Sequence, residues 1–360
     1  MPSTSDETFD FTVRNQVMLE RLKAGEHKKF APFLKDIEKS VRIRLSDEGE
    51  TIRNKNRLNS LLTDVTAIQR QIYNEYQAQL VGDLSAIGVQ QAAFEAASYN
   101  AAVVGFQSSI PAEAQILAAI RVNPLQVANY AGNPLLEPFI KDWSSSEIHR
   151  VRTAIQQGFY QGQTNAEITR NLRGTRANNF NDGDYTRVNR SNRTLVRTAV
   201  QHSSTQARVI TMSQNSDLVA SYEWVSTLDS RTSNQCASLD GRNFKMGEGP
   251  LPPIHPNCRS TITPVLSSKF DFLDEGATRP ERGSSGTGQT NADTTYYSWL
   301  KRQPAKFQNE AIGPTRGALL RNGGITSDEF AKLSLNKNFE PLTLDQMRAK
   351  SPSVFERAGL

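Results

Sequence analysis

Cysteine is scarce in this sequence, since the chain of 360 residues contains two. Two cysteines cannot form the disulfide framework of a small secreted protein, so we expect synthesis in a reducing cytosol. No apolar run approaches the roughly 20 residues that cross a bilayer, and no membrane segment is expected. The first residues have neither a positive cluster nor an apolar run, so no secretory signal is expected.

Hydrophobic residues are also few, at 37% of the chain, whereas globular domains average about 45–50%. We therefore expect elongated helices rather than one large core, because extended shapes bury less surface per residue. The net charge of +5 is small, and it permits contact with nucleic acid without requiring it. No G-x-x-x-x-G-K-S/T motif occurs, so an ATP-driven role is disfavoured.

Apolar side chains in the N-terminal third recur every three or four residues, which predicts one face of a long helix over residues 53–84: Leu58, Leu61, Leu62, Val65, Ile68, Ile72, Tyr76 and Leu80. Residues 89–121 are rich in Ala and Gln and predict further helix with a thin core. The capping-box pattern Ser144-x-x-Glu147 predicts a helix start, and residues 185–213 predict another long helix.

Three short strands are predicted further along, in ASYEWVSTLD, RNFKMG and RSTITPVL. The following Gly- and Ser-rich stretch has the composition of a flexible linker. Thr326-x-x-Glu329 and Thr343-x-x-Gln346 are capping boxes, which predict helices in the C-terminal tail.

The predicted fold class is mainly α with a small α+β domain. We expect a helical N-terminal region for assembly (1–139), a central domain of helices and a short sheet (140–270), a flexible linker (271–293) and a small helical docking tail (294–360). The tail is short for a stable core of its own, so it is expected to dock onto something else.

Both cysteines lie in one proline-rich stretch, in the arrangement Cys236-x18-His255-x2-Cys258. These side chains, with Asp229, are candidate ligands for a zinc ion, but zinc sites usually show two paired arms and this stretch has one. The alternative is a buried loop without metal, in which prolines fix the backbone and the cysteines fill space. A disulfide between Cys236 and Cys258 is a third reading, favoured outside the cell.

Catalysis is a weaker reading of the same stretch. Asp229, Asp240, His255 and Arg259 have the chemistry of a metal-dependent hydrolase or nuclease. However, the spacing contains no H-x-x-x-H or D-x-D pair, and nothing distinguishes either cysteine as a nucleophile. We therefore predict no catalytic residues.

Arginine is concentrated just before the strands, and four residues are candidate nucleic-acid contacts: Arg187, Arg190, Arg193 and Arg197. Guanidinium groups bind phosphates well because their planar fork donates two hydrogen bonds at once. The alternative is a solvated helix face or ion pairs with an acidic partner.

The same stretch resembles the Mu F-like minor head proteins of tailed bacteriophages, also called head morphogenesis proteins. The resemblance is carried by an aromatic strand at Tyr222 and Trp224, by Asp229-Ser230-Arg231-Thr232 with Cys236, by Leu239-Asp240-Gly241, and by Pro252-Pro253-Ile254-His255-Pro256-Asn257-Cys258-Arg259. It covers about residues 140–266, and the C-terminal tail separately resembles a tail that is attached to many phage minor head proteins. Family members often end in Cys-Arg-Cys, whereas this chain has Ser260, which weakens the case for zinc.

The resemblance implies a structural, non-enzymatic virion protein, made in the host cytoplasm and placed inside the capsid near the portal vertex. Its implied partners are portal and capsid proteins, packaged DNA with which it leaves the head, and further copies of itself. The alternative function is a metal-dependent nuclease or hydrolase that acts in packaging or genome entry.

Overall fold

A computed structural model describes residues 4–127, 132–267 and 278–360. The first part of the chain is helical, as predicted, and its helices are α1 (Thr4–Lys28), α2 (Ala31–Ser46), α3 (Lys55–Ala102), α4 (Glu113–Val122), α5 (Leu136–Tyr160), α6 (Asn165–Arg173) and α7 (Asp184–Gln214). A short 3-10 turn, Arg176–Asn178, precedes α7.

The predicted apolar stripe lies on α3, which begins where the Asn54 side chain accepts a hydrogen bond from the backbone N–H of Arg57. Most of the stripe is buried, while Ile68 and Ile72 are half-buried because the centre of the buried face passes through Gln69 and Tyr73. The helix continues without interruption to Ala102.

The core of the helical part is larger than the composition suggested. One apolar cluster runs from α1 to α7 and joins α3 to α7 along their length. Small residues make this possible, because Gly88 lets Ile120 of α4 approach the α3 backbone so closely that an added Cβ would lie 2.4 Å from it. The Ala-rich part of α3, where a thin core was expected, buries Ala92, Ala96 and Tyr99.

Helix α5 differs from the prediction that a helix starts at Ser144. It begins at Leu136 and tolerates Pro138, because N–H groups in the first turn have no partner within the helix. The Ser144 hydroxyl donates to the Lys141 carbonyl at 2.9 Å instead of capping. The predicted domain boundary between residues 139 and 140 falls inside this helix, which packs against α3 and α7.

The three predicted strands are β1 (Val219–Val225), β2 (Asn243–Lys245) and β3 (Thr261–Leu266), and they form an antiparallel sheet in the order β2-β1-β3. In the chain, helix α8 (Asn234–Leu239) lies between β1 and β2. Tyr222 pairs with Phe244 on one side and with Pro264 on the other. Trp224 is fully buried, and its indole N–H donates to the Ser226 hydroxyl at 2.9 Å.

A β-hairpin occupies part of the predicted linker. β4 (Thr278–Gly283) and β5 (Gly286–Asn291) pair in antiparallel fashion, whereas residues 271–277 of that linker lie outside the described residues. Gly286 has a φ of 110°, so the glycines that suggested a linker instead permit a tight turn. Buried Arg279 ties the hairpin to the central domain through Asp240, at 3.0 Å.

The C-terminal tail is helical, and both of its predicted capping boxes are confirmed: α9 (Tyr296–Lys301), α10 (Ala305–Ile312), α11 (Pro314–Asn322), α12 (Ser327–Leu333), α13 (Leu344–Lys350) and α14 (Pro352–Arg357). Its core includes Leu228 and Ala237 of the central domain, and Tyr297 lies 3.0 Å from the Ser238 hydroxyl. The tail therefore docks onto its own chain. Within the described residues, every helix is too short or too polar to cross a membrane.

Candidate functional site

The cysteine- and histidine-containing loop is held by the end of β1, by α8 and by the turn before β3. Ser233 caps α8 by accepting a hydrogen bond from the backbone N–H of Cys236 at 3.2 Å. The second arm closes as a turn, in which the Cys258 N–H donates to the His255 carbonyl at 3.2 Å. Asn257 has a φ of 59° within this turn, a conformation that asparagine tolerates better than most residues.

The two arms bring Cys236, His255 and Cys258 together, with their ligand atoms all within 4.8 Å of one another. The Cys236 Sγ lies 3.1 Å from His255 Nε2 and 3.7 Å from the Cys258 Sγ. Two thiolates on one tetrahedral zinc ion lie about 3.8 Å apart, as follows from zinc–sulfur bonds of about 2.3 Å. The spacing of the sulfurs therefore fits zinc, and both cysteines are free rather than joined as a disulfide.

The protonation of the cluster is uneven. Burial and the neighbouring Cys258 raise the pKa of Cys236 well above its usual value. Burial acts in the same direction on Cys258, but hydrogen bonds from Cys236 and His255 outweigh it and bring its pKa well below the usual value. The pKa of His255 is raised because its interaction with Cys258 outweighs burial. The arrangement favours a Cys258 thiolate beside a His255 imidazolium, and a thiolate is the form that binds metal.

Asp229 is not part of this group. Its carboxylate accepts two hydrogen bonds from Arg259, both at 2.7 Å, and one from the backbone N–H of Arg231 at 3.0 Å. Burial raises the pKa of Asp229, but the contacts with Arg259 lower it more, so the net shift is downward. Asp229 therefore anchors the loop through Arg259 rather than facing the sulfurs.

Asp240 is occupied in the same way. Arg279 of the hairpin donates to both of its oxygens at 3.0 Å, and the backbone N–H groups of Ser226 and Tyr296 donate at 2.6 and 2.7 Å. This carboxylate joins the loop, the hairpin and the tail. A nuclease centre needs carboxylates that are free to hold a metal ion, and neither acid of the predicted constellation is free.

The four candidate arginines of α7 have different surroundings. Arg187 pairs with Asp184 at 3.2 Å, and Arg190 donates to the Asn181 side chain at 2.9 Å. Arg193 is exposed, while Arg197 is half-buried and paired with Glu20 of α1. Sequence spacing predicted that all four lie on one helix, but no pattern near Arg197 predicted its ion pair with Glu20 of α1.

Arg190, Arg193 and Arg197 line a cleft of about 1170 Å³, together with α1, the residues after β1 and the His255 turn. The structure adds four arginines to its lining that the sequence did not assign there: Arg21, Arg231, Arg259 and Arg279. Periodicity could not find them because they come from α1, two loops and the hairpin. Arg187 does not line the cleft.

Residues 149–263 match the family model described as Phage Mu protein F like protein. This region is similar to the Mu F-like family. The match covers the arginine-rich helix, β1, β2, the first half of β3 and the cysteine–histidine loop, and it confirms the resemblance for these residues. This similarity implies a phage head morphogenesis protein. Comparisons with curated proteins and with solved structures gave no significant match.

Proposed function

We propose that this Mu F-like protein is a structural component of a tailed-phage head, which binds portal and capsid subunits inside the head near the portal vertex. The observation that carries the proposal is the family match over residues 149–263. On this proposal the protein is made in the host cytoplasm, enters the virion in several copies and leaves with the DNA. The proposal is supported by the packing of the helical N-terminal region and the tail onto the Mu F-like domain, as expected of one folded subunit.

The state of the carboxylates supports a structural role over the alternative of a nuclease. Asp229 and Asp240, which a metal-dependent mechanism would use, each hold an arginine with both oxygens. Such buried bidentate pairs fix loop geometry, and removing one partner is costly. The loop therefore has the properties of an anchor for the sheet.

Zinc is a second candidate for the same loop, favoured by the 3.7 Å distance between the Cys236 and Cys258 sulfurs. The ion would be held by these thiolates and His255, with a fourth ligand from solvent. Its contribution would be to clasp the two arms of the loop, in addition to the Asp229–Arg259 pair.

DNA contact is proposed through the exposed arginines of α7, which are Arg187, Arg190 and Arg193. Binding through phosphates alone should weaken steeply with salt. Filter binding of duplex DNA across a salt series tests this contact. A flat salt dependence, or one unchanged when these three residues become alanine, would exclude it.

The assembly role is tested by purifying heads from infected cells and measuring composition by quantitative mass spectrometry. We expect the protein in heads at low copy number relative to the major capsid protein, and absent from heads assembled without portal protein. Recovery of the protein only in the free fraction of the lysate would contradict the proposal.

A further inference from the structure

The cleft beside the cysteine–histidine loop has two walls of different origin. One wall is α1, and the other combines α7 with the segments that follow β1 and precede β3 and with part of the hairpin. Its volume of about 1170 Å³ exceeds the range of about 300–1,000 Å³ typical of small-molecule pockets. The shape is that of a groove open to solvent along a helix.

Three of the arginines that line the cleft are already neutralised. Both oxygens of Asp229 pair with Arg259, both oxygens of Asp240 pair with Arg279, and Glu20 pairs with Arg197. A small anion in contact with these half-buried or buried guanidinium groups would compete with carboxylates held at close to ideal distance. The inner surface of the cleft is therefore not an anion pocket.

The surplus positive charge lies on the exposed lining, on three separate elements: Arg21 of α1, Arg190 and Arg193 of α7, and Arg231 of the loop. Arg231 lies 3.3 Å from Asp229, which is already held by Arg259. Positive charge on three sides of the cleft suits an extended anionic partner better than a single small anion, because separate anionic groups of the partner can each pair with a different arginine.

The α1 wall is also apolar. Val13, Val17 and Ala24 line the cleft, and their spacing of four and seven residues places them on one face of the helix. Val17 is 46% exposed, which is high for a valine. Across the cleft, the half-buried Pro256 provides further apolar surface.

The mixture of apolar and cationic surface distinguishes between classes of partner. Proteins that bind a single nucleic-acid strand usually stack its bases on aromatic side chains, and the described residues that line the cleft include no Phe, Tyr or Trp. A duplex bound to the exposed arginines of α7, as proposed above, would leave the valines of α1 uncovered, so duplex DNA and a protein segment are alternatives at Arg190 and Arg193. A protein segment that carries both aliphatic side chains and carboxylates covers both kinds of surface.

We propose that this cleft binds an acidic, amphipathic segment of a partner protein, with its aliphatic side chains on Val13 and Val17 and its carboxylates on Arg21, Arg190, Arg193 and Arg231. The proposed assembly role is needed only to identify the partner as a head protein. The binding chemistry is tested on the purified chain, so its failure is distinguishable from absence of the protein from heads.

The test is fluorescence anisotropy of the full chain with labelled synthetic peptides of about twelve residues, the length of a short helical anchor. The first peptide has Glu and Leu at helical spacing, the second replaces Glu by Gln, and the third replaces Leu by Ser. A single-stranded oligonucleotide of similar length is the fourth probe. We expect the Glu/Leu peptide to bind most tightly.

Variants then assign the contact to the cleft. Arg21→Ala and Arg193→Ala should each weaken binding of the Glu/Leu peptide about fivefold, as expected for exposed ion pairs of about 1 kcal/mol. Val17→Ser should weaken binding of the peptide and leave any oligonucleotide binding unchanged. Arg152→Ala, which removes an exposed arginine of α5 outside the cleft, is the matched control and should change nothing.

Equal binding of the Glu and Gln peptides would overturn the proposal, since the arginines would then have no role. Tighter binding of the oligonucleotide, lost in Arg193→Ala but retained in Val17→Ser, would identify a nucleic-acid cleft instead. Loss of peptide binding in Arg152→Ala to the same degree as in Arg193→Ala would show contact outside the cleft and would also overturn it.

Discussion

Asp229→Asn should lower the unfolding free energy of the Mu F-like domain more than the loss of any exposed ion pair does. Asp229 is 4% exposed and accepts two hydrogen bonds of 2.7 Å from Arg259. Asparagine removes the charge and turns an N–H donor toward a guanidinium group. Breaking a buried pair by changing one partner costs about 3–5 kcal/mol. Because Arg259 keeps some contact with solvent, we expect the low end, about 3 kcal/mol.

The measurement is urea unfolding at pH 7, followed by circular dichroism and by tryptophan fluorescence, since Trp224 is buried in one apolar cluster with Cys236 and Cys258 of the loop. Asp10→Asn is the matched control, because it removes an exposed partner of Arg14 at 2.6 Å and should cost less than about 1 kcal/mol. A cost below about 1 kcal/mol for Asp229→Asn would refute the assignment of Asp229 as the anchor of the loop.

The pH dependence provides an internal check. Because the pKa of Asp229 lies below its usual value of 3.8 in the folded chain, its stabilisation is complete above that value and is lost as the pH falls through the folded pKa. The difference between wild type and Asp229→Asn should therefore shrink in acid. Changing Arg259 to Met in the Asp229→Asn background should recover part of the loss, because it removes the uncompensated charge.

Three further predictions concern other buried groups. Burial lowers the pKa of His202 to about 4. The free energy of unfolding should therefore fall by on the order of 3 kcal/mol as the pH is lowered from 6.5 to 4. Urea unfolding of His202→Gln should lack this pH-dependent loss, and a variant with the same pH profile as the wild type would contradict the prediction. Burial and the charge of Asp240 raise the pKa of Glu223 to about 7. Glu223→Gln should therefore raise the unfolding free energy at pH 8 by on the order of 3 kcal/mol and have little effect at pH 4. A lower unfolding free energy of the variant at pH 8 would refute this. If zinc binds the loop, elemental analysis should find about one zinc ion per chain, and Cys258→Ser should lose it. A chelator should then lower the Tm of the wild-type protein. Purified protein that contains no metal, and whose Tm a chelator does not change, would exclude the zinc site.

The elements that the sequence predicted well are those determined by neighbouring residues. The capping boxes at Thr326 and Thr343, the apolar stripe of α3 and the alternation of β1 are local patterns, and the structure confirms them. The proximity of Cys236, His255 and Cys258 could also be anticipated, since all three lie between the predicted strands β1 and β3 of one small sheet.

Features that depend on distant segments could not be predicted. Arg197 pairs with Glu20 across 177 residues, and no periodicity connects α7 with α1. Arg279 was read as part of a linker by composition, but Asp240 gives it a buried ion pair and fixes the hairpin. Ser144 matched a helix start, yet packing of Leu136, Phe139 and Ile140 extends α5 past it. In each case a tertiary contact outweighed the local signal.

The most direct test of the assembly role is a density map of the portal vertex in purified heads. We predict density inside the head, next to the portal, into which the α3–α7 bundle and the β2-β1-β3 sheet fit as one unit. A map that resolves helices, and in which portal, capsid and DNA account for all density at this position, would contradict the proposed place of the protein in the head.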